Sequence, residues 1–236
     1  MKNFQIIISR FLLILACSTV AATAVAQDHA QKADVVRTDA REKAAVKKVL
    51  FIGDSMTGWL SERLNAYGSS NGFEVATVVW DGSTIRKWAE TPRLKQIVDQ
   101  QNPDAVFVSL GMNELFEKNP DTRLKSSVDK IKKAIGDRKL VWVGPPSWPG
   151  HKDGKTLDDW LAGQIGEGSY FSSLGLDLPR QSAKNPHPSK QGIIKWVDSL
   201  VDWLPQSDLD MNLQPAGDKQ MVRGKTFIYK RMKESL

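Results

Sequence analysis

The sequence predicts an α/β protein, a three-layer α/β/α sandwich about a central, mostly parallel sheet, and three observations carry that prediction. Short, uninterrupted apolar runs alternate with segments of helical periodicity between Lys47 and Leu204, the order expected of β-α-β units. The runs lack the polar–apolar alternation of a strand with one wet face, so both faces of the sheet are to be covered. The chain of 236 residues, 41% hydrophobic and 25% charged, is long enough to bury a core without covalent staples. Its single cysteine, Cys17, excludes a disulfide framework and any CxxC zinc or redox site.

The elements follow in order. Val49-Leu50-Phe51-Ile52 is a buried strand that stops at Gly53-Asp54, where a turn is expected. From Gly58 to Tyr67 the residues Trp59, Leu60, Leu64 and Tyr67 recur at helical spacing. Phe73 to Trp80 is a second strand, Arg93 to Gln101 a second helix, and Asp104 to Leu110 a third strand. Thr122 to Ile135 is helical in pattern and Lys139 to Val143 a fourth strand. Ser189 to Leu204 closes the domain as an amphipathic helix presenting Ile193, Ile194, Val197, Leu200 and Val201 on one face. Trp142 and Trp196 belong to the core of this arrangement, and no internal repeat is present.

The ends differ from this domain. Residues 1–26 read as a secretory signal: Lys2 and Arg10 give a positive start, an apolar stretch follows from Phe11, and Ala24-Val25-Ala26 is an A-x-A cleavage site. The expected location is the periplasm or the exterior. An alternative is a lipoprotein anchored through Cys17, which follows Leu13-Ile14-Leu15-Ala16. Residues 27–46 form a charged linker without apolar periodicity. Residues 205–236 form a basic extension; from Gly217 on, six Lys and Arg face Asp218 and Glu234. A solvated tail is expected there, with Thr226-Phe227-Ile228-Tyr229 as a candidate short strand or docking segment and a peripheral envelope contact as a further candidate. The formal charge of +6 therefore resides at the two ends. The predicted domain is near neutral, and nucleic acid is not an expected partner.

In sheets of this kind, ligands bind beyond the carboxyl ends of the strands, and four short motifs stand there. The first strand runs into Gly53-Asp54-Ser55, the second into Trp80-Asp81-Gly82-Ser83, the third into Gly111-Met112-Asn113-Glu114, and Asn185-Pro186-His187-Pro188 precedes the closing helix. Each has a plain alternative. Asp54 and Ser55 are good helix caps, Gly82 a turn residue, Asn113 a loop amide, and His187 a structural histidine. Gly68-Ser69-Ser70-Asn71-Gly72 matches G-x-S-x-G, but it follows a helix and precedes a strand, the reverse of a nucleophile elbow, so it reads as a connecting loop. His29 falls in the linker and His151 after Pro149-Gly150. Three histidines so dispersed offer no metal site, and no cofactor is expected.

Taken in order, these blocks resemble those of the SGNH hydrolases, also called GDSL esterases and lipases: Phe51-Ile52-Gly53-Asp54-Ser55, Gly82, Gly111-Met112-Asn113 and His187-Pro188. The resemblance covers about Lys47 to Leu204 and implies the SGNH (flavodoxin-like) fold. It implies Ser55 as nucleophile, His187 as general base, and an oxyanion hole made by the Ser55 and Gly82 N–H groups and the Asn113 amide. One position departs from the family pattern: Lys184 stands three residues before His187, where an Asp is usual. Three readings follow: a substitute group such as a backbone carbonyl or Asp177, a Ser-His dyad, or a slow or inactive site.

The expected activity is hydrolysis of a short acyl ester, acetyl above all, on an envelope or extracellular carbohydrate. Trp59, Trp80, Trp88 and Trp148 near the strand ends are candidates to stack on sugar rings, against the alternative of core packing. Two other readings stay open: an O-acyltransferase using the same serine on a glycan acceptor, and a glycan-binding or envelope scaffold protein with little catalysis. The oligomeric state is not legible from the sequence.

Overall fold

The apolar run Val49–Ile52 becomes the centre of the molecule. In a computed structural model that describes residues 45–150, 154–217 and 220–229, strand β1 (Lys48–Gly53) pairs in parallel with β2 (Glu74–Trp80) on one side and β3 (Ala105–Ser109) on the other. Beyond β3 lie β4 (Lys139–Val143) and the two-residue β5 (Tyr170–Phe171); beyond β2 lies β6 (Lys225–Tyr229). The order is β5-β4-β3-β1-β2-β6 and every pairing is parallel. The expected α/β/α sandwich with a parallel sheet is therefore the fold.

Alternate residues of β1 enter different cores, as the period-2 geometry of a strand requires. Val49 and Phe51 face helices α1 (Thr57–Asn71) and α6 (Lys190–Trp203), packing with Leu60, Leu64, Trp196 and Val197. Leu50 and Ile52 face the opposite layer, built from α2 (Ile85–Glu90), α3 (Arg93–Gln101), α4 (Pro120–Ile135) and α5 (Lys155–Ile165). Trp142 and Trp196 are core residues, and each indole N–H has a partner: Trp142 Nε1 donates to the Leu110 carbonyl at 3.2 Å and Trp196 Nε1 to Ser173 Oγ at 2.7 Å.

The structure adds elements that periodicity did not reveal. Helix α2 is six residues and β5 two, too short to show a period. Helix α1 runs on to Asn71 with Gly72 as its C-cap, so the G-x-S-x-G match is the last turn of a helix and its cap. The segment after Leu204 is docked as far as it is described, including the part from Gly217 where a solvated tail is expected. Leu209, Met211, Leu213 and Met221 pack against the α1–α6 face, and β6 completes the sheet edge as the Thr226–Tyr229 run suggested. The leader, most of the linker, His29, Cys17 and His151 lie outside the described residues. No helix among the described residues is long and apolar enough to cross a membrane.

The chain leaves β1 toward β2 and then returns across β1 to build β3 and β4. That reversal places the switch point of the sheet between β1 and β3, where the loops diverge and a crevice opens.

Candidate active site

Ser55 sits at that switch point, two residues past β1 and two before α1. The turn depends on Gly53: a Cβ at this position would collide with the backbone carbonyl oxygen of Ser109 and with Thr57 Oγ1. The close approach lets the Asp54 N–H donate to Ser109 O at 3.2 Å, tying the serine turn to the end of β3. The Asp54 side chain faces inward and its Oδ1 accepts from the Met56 N–H at 3.0 Å.

His187 arrives from the other end of the chain. Its Nε2 lies 3.0 Å from Ser55 Oγ, across 132 positions of sequence. Its Nδ1 lies 3.2 Å from Asn185 Oδ1, and the same oxygen accepts the His187 backbone N–H at 2.9 Å. Asn185 Nδ2 donates to Gln181 Oε1 at 3.1 Å, which turns the amide so that its oxygen faces the imidazole. An acceptor at Nδ1 selects the tautomer with its proton there and leaves Nε2 free to accept from the serine hydroxyl.

The group behind His187 is therefore the Asn185 amide, which was not among the expected substitutes. Asp177 is exposed, and its backbone carbonyl is taken up by Lys195 Nζ at 2.6 Å. Lys184 is exposed. The local signal was an Asx turn: Pro186 offers no N–H, so the Asn185 side chain accepts from the next donor, that of His187.

Arg180 holds this loop. Its Nη1 donates to the Pro186 carbonyl and its Nη2 to Ser147 O at 2.7 Å, linking the histidine loop to the loop after β4. An isolated antiparallel bridge joins Arg180 to Pro188. Burial lowers the proton affinity of the guanidinium. Ser189 caps α6 by accepting from the Gly192 N–H at 3.2 Å, fixing where the loop ends and the helix begins.

The other two blocks meet each other. Gly82 adopts φ 65° in the turn after β2, and Asn113 lies in the 3-10 turn Met112–Glu114 after β3. Asn113 Nδ2 donates to the Ser83 carbonyl at 2.7 Å, which uses one of its two N–H groups and joins the second block to the third. Glu114 adds a second tie, its Oε1 accepting the Ile85 N–H at the start of α2 at 2.7 Å.

Two carboxyls beneath the site are unusual. Asp54 Oδ2 and Glu114 Oε2 are buried without hydrogen-bond partners among the described residues. Burial drives both carboxyls up to about 7, and each is raised further by a neighbouring acid, Asp81 for Asp54 and Asp54 for Glu114. Hydrogen bonds from Met56 and Ile85, and the Arg86 charge near Glu114, oppose the rise without cancelling it. The sequence motifs contained both acids but not their burial.

Two clefts flank the centre. One, of about 460 Å³, includes Ser55 and is lined by Trp59, Glu62, Asp81, Arg223 and Thr226. The other, of about 800 Å³, lies beyond Asn113 and reaches Phe116 and Trp148, whose rings are 6.1 Å apart. The tryptophans divide accordingly. Trp59 is 44% exposed, whereas Trp88 is fully buried, edge-on to Trp80 with centroids 5.7 Å apart, and donates Nε1 to Ser83 Oγ at 2.9 Å. Trp80 and Trp88 thus support the second block from within, and for these two the alternative of core packing holds.

No protein-family model matches the chain, and no curated protein matches it in sequence. Its fold is shared with solved structures. A family 3 carbohydrate esterase from Clostridium thermocellum superposes with a TM-score of 0.52 at 17% identity, over 66% of this chain and 94% of the esterase. TesA does so with a TM-score of 0.52 at 16% identity, over 68% and 99%. A gut microbial diltiazem-metabolizing enzyme gives 0.52 at 12% identity over 69% of this chain, which spans about half of that protein's length, 48%. The fold is that of the SGNH hydrolases, as the four sequence blocks imply.

Proposed function

We propose that the protein is an exported serine ester hydrolase that removes a short acyl group, acetyl above all, from an envelope or extracellular carbohydrate. The observation that carries the reading is the Ser55–His187 contact of 3.0 Å with an acceptor fixed behind the imidazole. Ser55 Oγ attacks the ester carbonyl carbon and His187 Nε2 takes the hydroxyl proton. The oxyanion is held by the Ser55 and Gly82 N–H groups and the second N–H of Asn113; each donor of this kind is typically worth about 3 kcal/mol of barrier. Collapse of the tetrahedral intermediate expels the alcohol, which receives the proton from His187, and leaves acyl-Ser55. Water, deprotonated by His187, then attacks the acyl carbon and releases the acid and the free serine.

Asn185 sets the tautomer as a carboxylate would, but it brings no negative charge to the imidazolium that forms. A working site with a modest rate is the expected consequence. The mixed lining of the cleft at Ser55, an indole beside carboxylates, a guanidinium and a hydroxyl, suits a carbohydrate alcohol, which presents both C–H faces and hydroxyls. Export rests on the sequence of residues 1–26.

Hydrolysis of 4-nitrophenyl acetate by the purified protein tests the reading. Ser55→Ala and His187→Ala are each expected to lower kcat by about a thousandfold or more, with unchanged thermal stability. Turnover that survives Ser55→Ala would refute it. Adding a sugar acceptor separates hydrolysis from acyl transfer: free acetate marks the first, an acetylated acceptor the second.

A further inference from the structure

The C-terminal segment forms a wall of the cleft that contains Ser55, and the way it is built shows what the cleft is for. The Val222 N–H donates to the Glu62 carbonyl at 2.8 Å, and Arg63 Nη1 donates to the Gln220 carbonyl at 3.0 Å, both on α1. Gly224 passes so close to α1 that a Cβ would run into the Asn65 amide. From Lys225 the segment becomes β6, in register with Ala76–Trp80 of β2. The chain is thus pinned on both sides of Arg223, and Arg223 and Thr226 line the cleft together with Trp59.

The lining combines an indole with two carboxylates and one guanidinium. Trp59 offers an exposed aromatic face, suited to the apolar C–H face of a pyranose ring. Glu62 and Asp81 provide acceptors for ring hydroxyls. Arg223 Nε lies 3.7 Å from Glu62 Oε1 with its side chain largely in solvent, and Asp81 has no ion-pair partner among the described residues, so the lining carries two acids and one cation. An incoming carboxylate would face two acids, Glu62 and Asp81, against the one cation Arg223, whereas a hydroxyl or an ammonium group meets no net repulsion.

We propose that this cleft binds the alcohol part of the substrate, and that the alcohol is a neutral or amino sugar rather than a uronic acid. The inference rests on the ester hydrolase reading and deepens it. Wild-type protein is expected to favour acetylated methyl glucoside over acetylated methyl glucuronate by at least about tenfold in kcat/KM. Asp81→Asn, at an exposed position, and Asp81→Asn with Glu62→Gln are expected to narrow that gap at least fivefold, with folding checked by thermal melting. Trp59→Ala is expected to lower the ratio of glucoside ester to 4-nitrophenyl acetate turnover about tenfold. Equal or better use of the glucuronate ester, a gap indifferent to Asp81, or an unchanged ratio in Trp59→Ala would each overturn the proposal, as would preference for an octanoyl over an acetyl ester that Trp59→Ala abolishes. Binding separates this from failure of the chemistry. Titration of Ser55→Ala protein with acetylated methyl glucoside, followed by NMR, should show binding that is lost on adding Trp59→Ala, whether or not any ester is turned over; no binding to Ser55→Ala protein refutes the subsite.

Discussion

Replacing Asp54 by Asn changes how stability depends on pH, and the structure sets the size of the change. Asp54 is buried, one carboxyl oxygen has no partner, and its proton affinity is raised from 3.8 to about 7. In the unfolded chain the carboxyl ionises near 3.8; in the folded protein it keeps its proton up to about 7. Between those values the native state holds a proton that the unfolded state has released, so stability falls as pH rises. The contribution is complete below the unfolded value and lost as pH climbs through the folded one. Each factor of ten in proton affinity is worth 1.36 kcal/mol, and linkage over the interval from pH 5 to pH 8 gives a loss on the order of 2 kcal/mol. The amide of the Asp54→Asn variant has no such proton to lose and keeps the acceptor for the Met56 N–H.

The assay is thermal and urea unfolding of wild type and Asp54→Asn at pH 5, 6.5 and 8. The variant should gain on wild type by on the order of 2 kcal/mol across that range, roughly 5 °C or more in Tm for a chain of this size. Glu114→Gln, whose parent carboxyl is raised from 4.5 to about 7, should behave in the same direction, and the two effects should fall short of additive because Asp54 is one of the causes of the rise at Glu114. Parallel stability curves for wild type and Asp54→Asn from pH 5 to 8 would refute the reasoning.

Two further predictions concern the histidine loop. Asn185→Ala removes the acceptor at His187 Nδ1 and should lower kcat for 4-nitrophenyl acetate by about ten- to a thousandfold, a loss of orientation and tautomer control. Asn185→Asp places a negative charge about where Oδ1 now lies, 3.2 Å from Nδ1; even with water-like screening this is worth roughly 1 kcal/mol. The acid limb of kcat/KM against pH should therefore move up by about one pH unit, whereas Lys184→Ala should leave both rate and profile as they are. Arg180→Ala frees the Pro186 and Ser147 carbonyls and should lower kcat about tenfold or more with a smaller change in KM, measured by steady-state kinetics.

The elements that the sequence disclosed are those whose signal is local. An uninterrupted apolar run such as Val49–Ile52 and a helical stripe such as Ile193–Val201 announce their own burial, because a strand or helix must bury what it cannot show to water. The serine, glycine, asparagine and histidine blocks were legible because each falls where a strand or loop ends. Helix α2 and strand β5 were not, because six and two residues carry too little pattern.

Sequence by itself determined the parallel α/β sandwich and the succession of its main strands along the chain, and it singled out Ser55, Gly82, Asn113 and His187. Tertiary structure decided what those residues touch. Asn185 could be recognised behind His187 only when the loop had closed, since the chain positions nearest the histidine, Lys184 included, do not say which side chain turns inward. Asp54 and Glu114 became unusual acids only through burial at the junction of β1, α2 and the turn after β3. The C-terminal segment, polar and basic to the eye, became a wall of the serine's cleft because β2 offered an open edge and α1 offered partners for its backbone. Periodicity records what each segment hides from water; which distant segments then share a hydrogen bond or a cleft is set by packing, which no local pattern encodes.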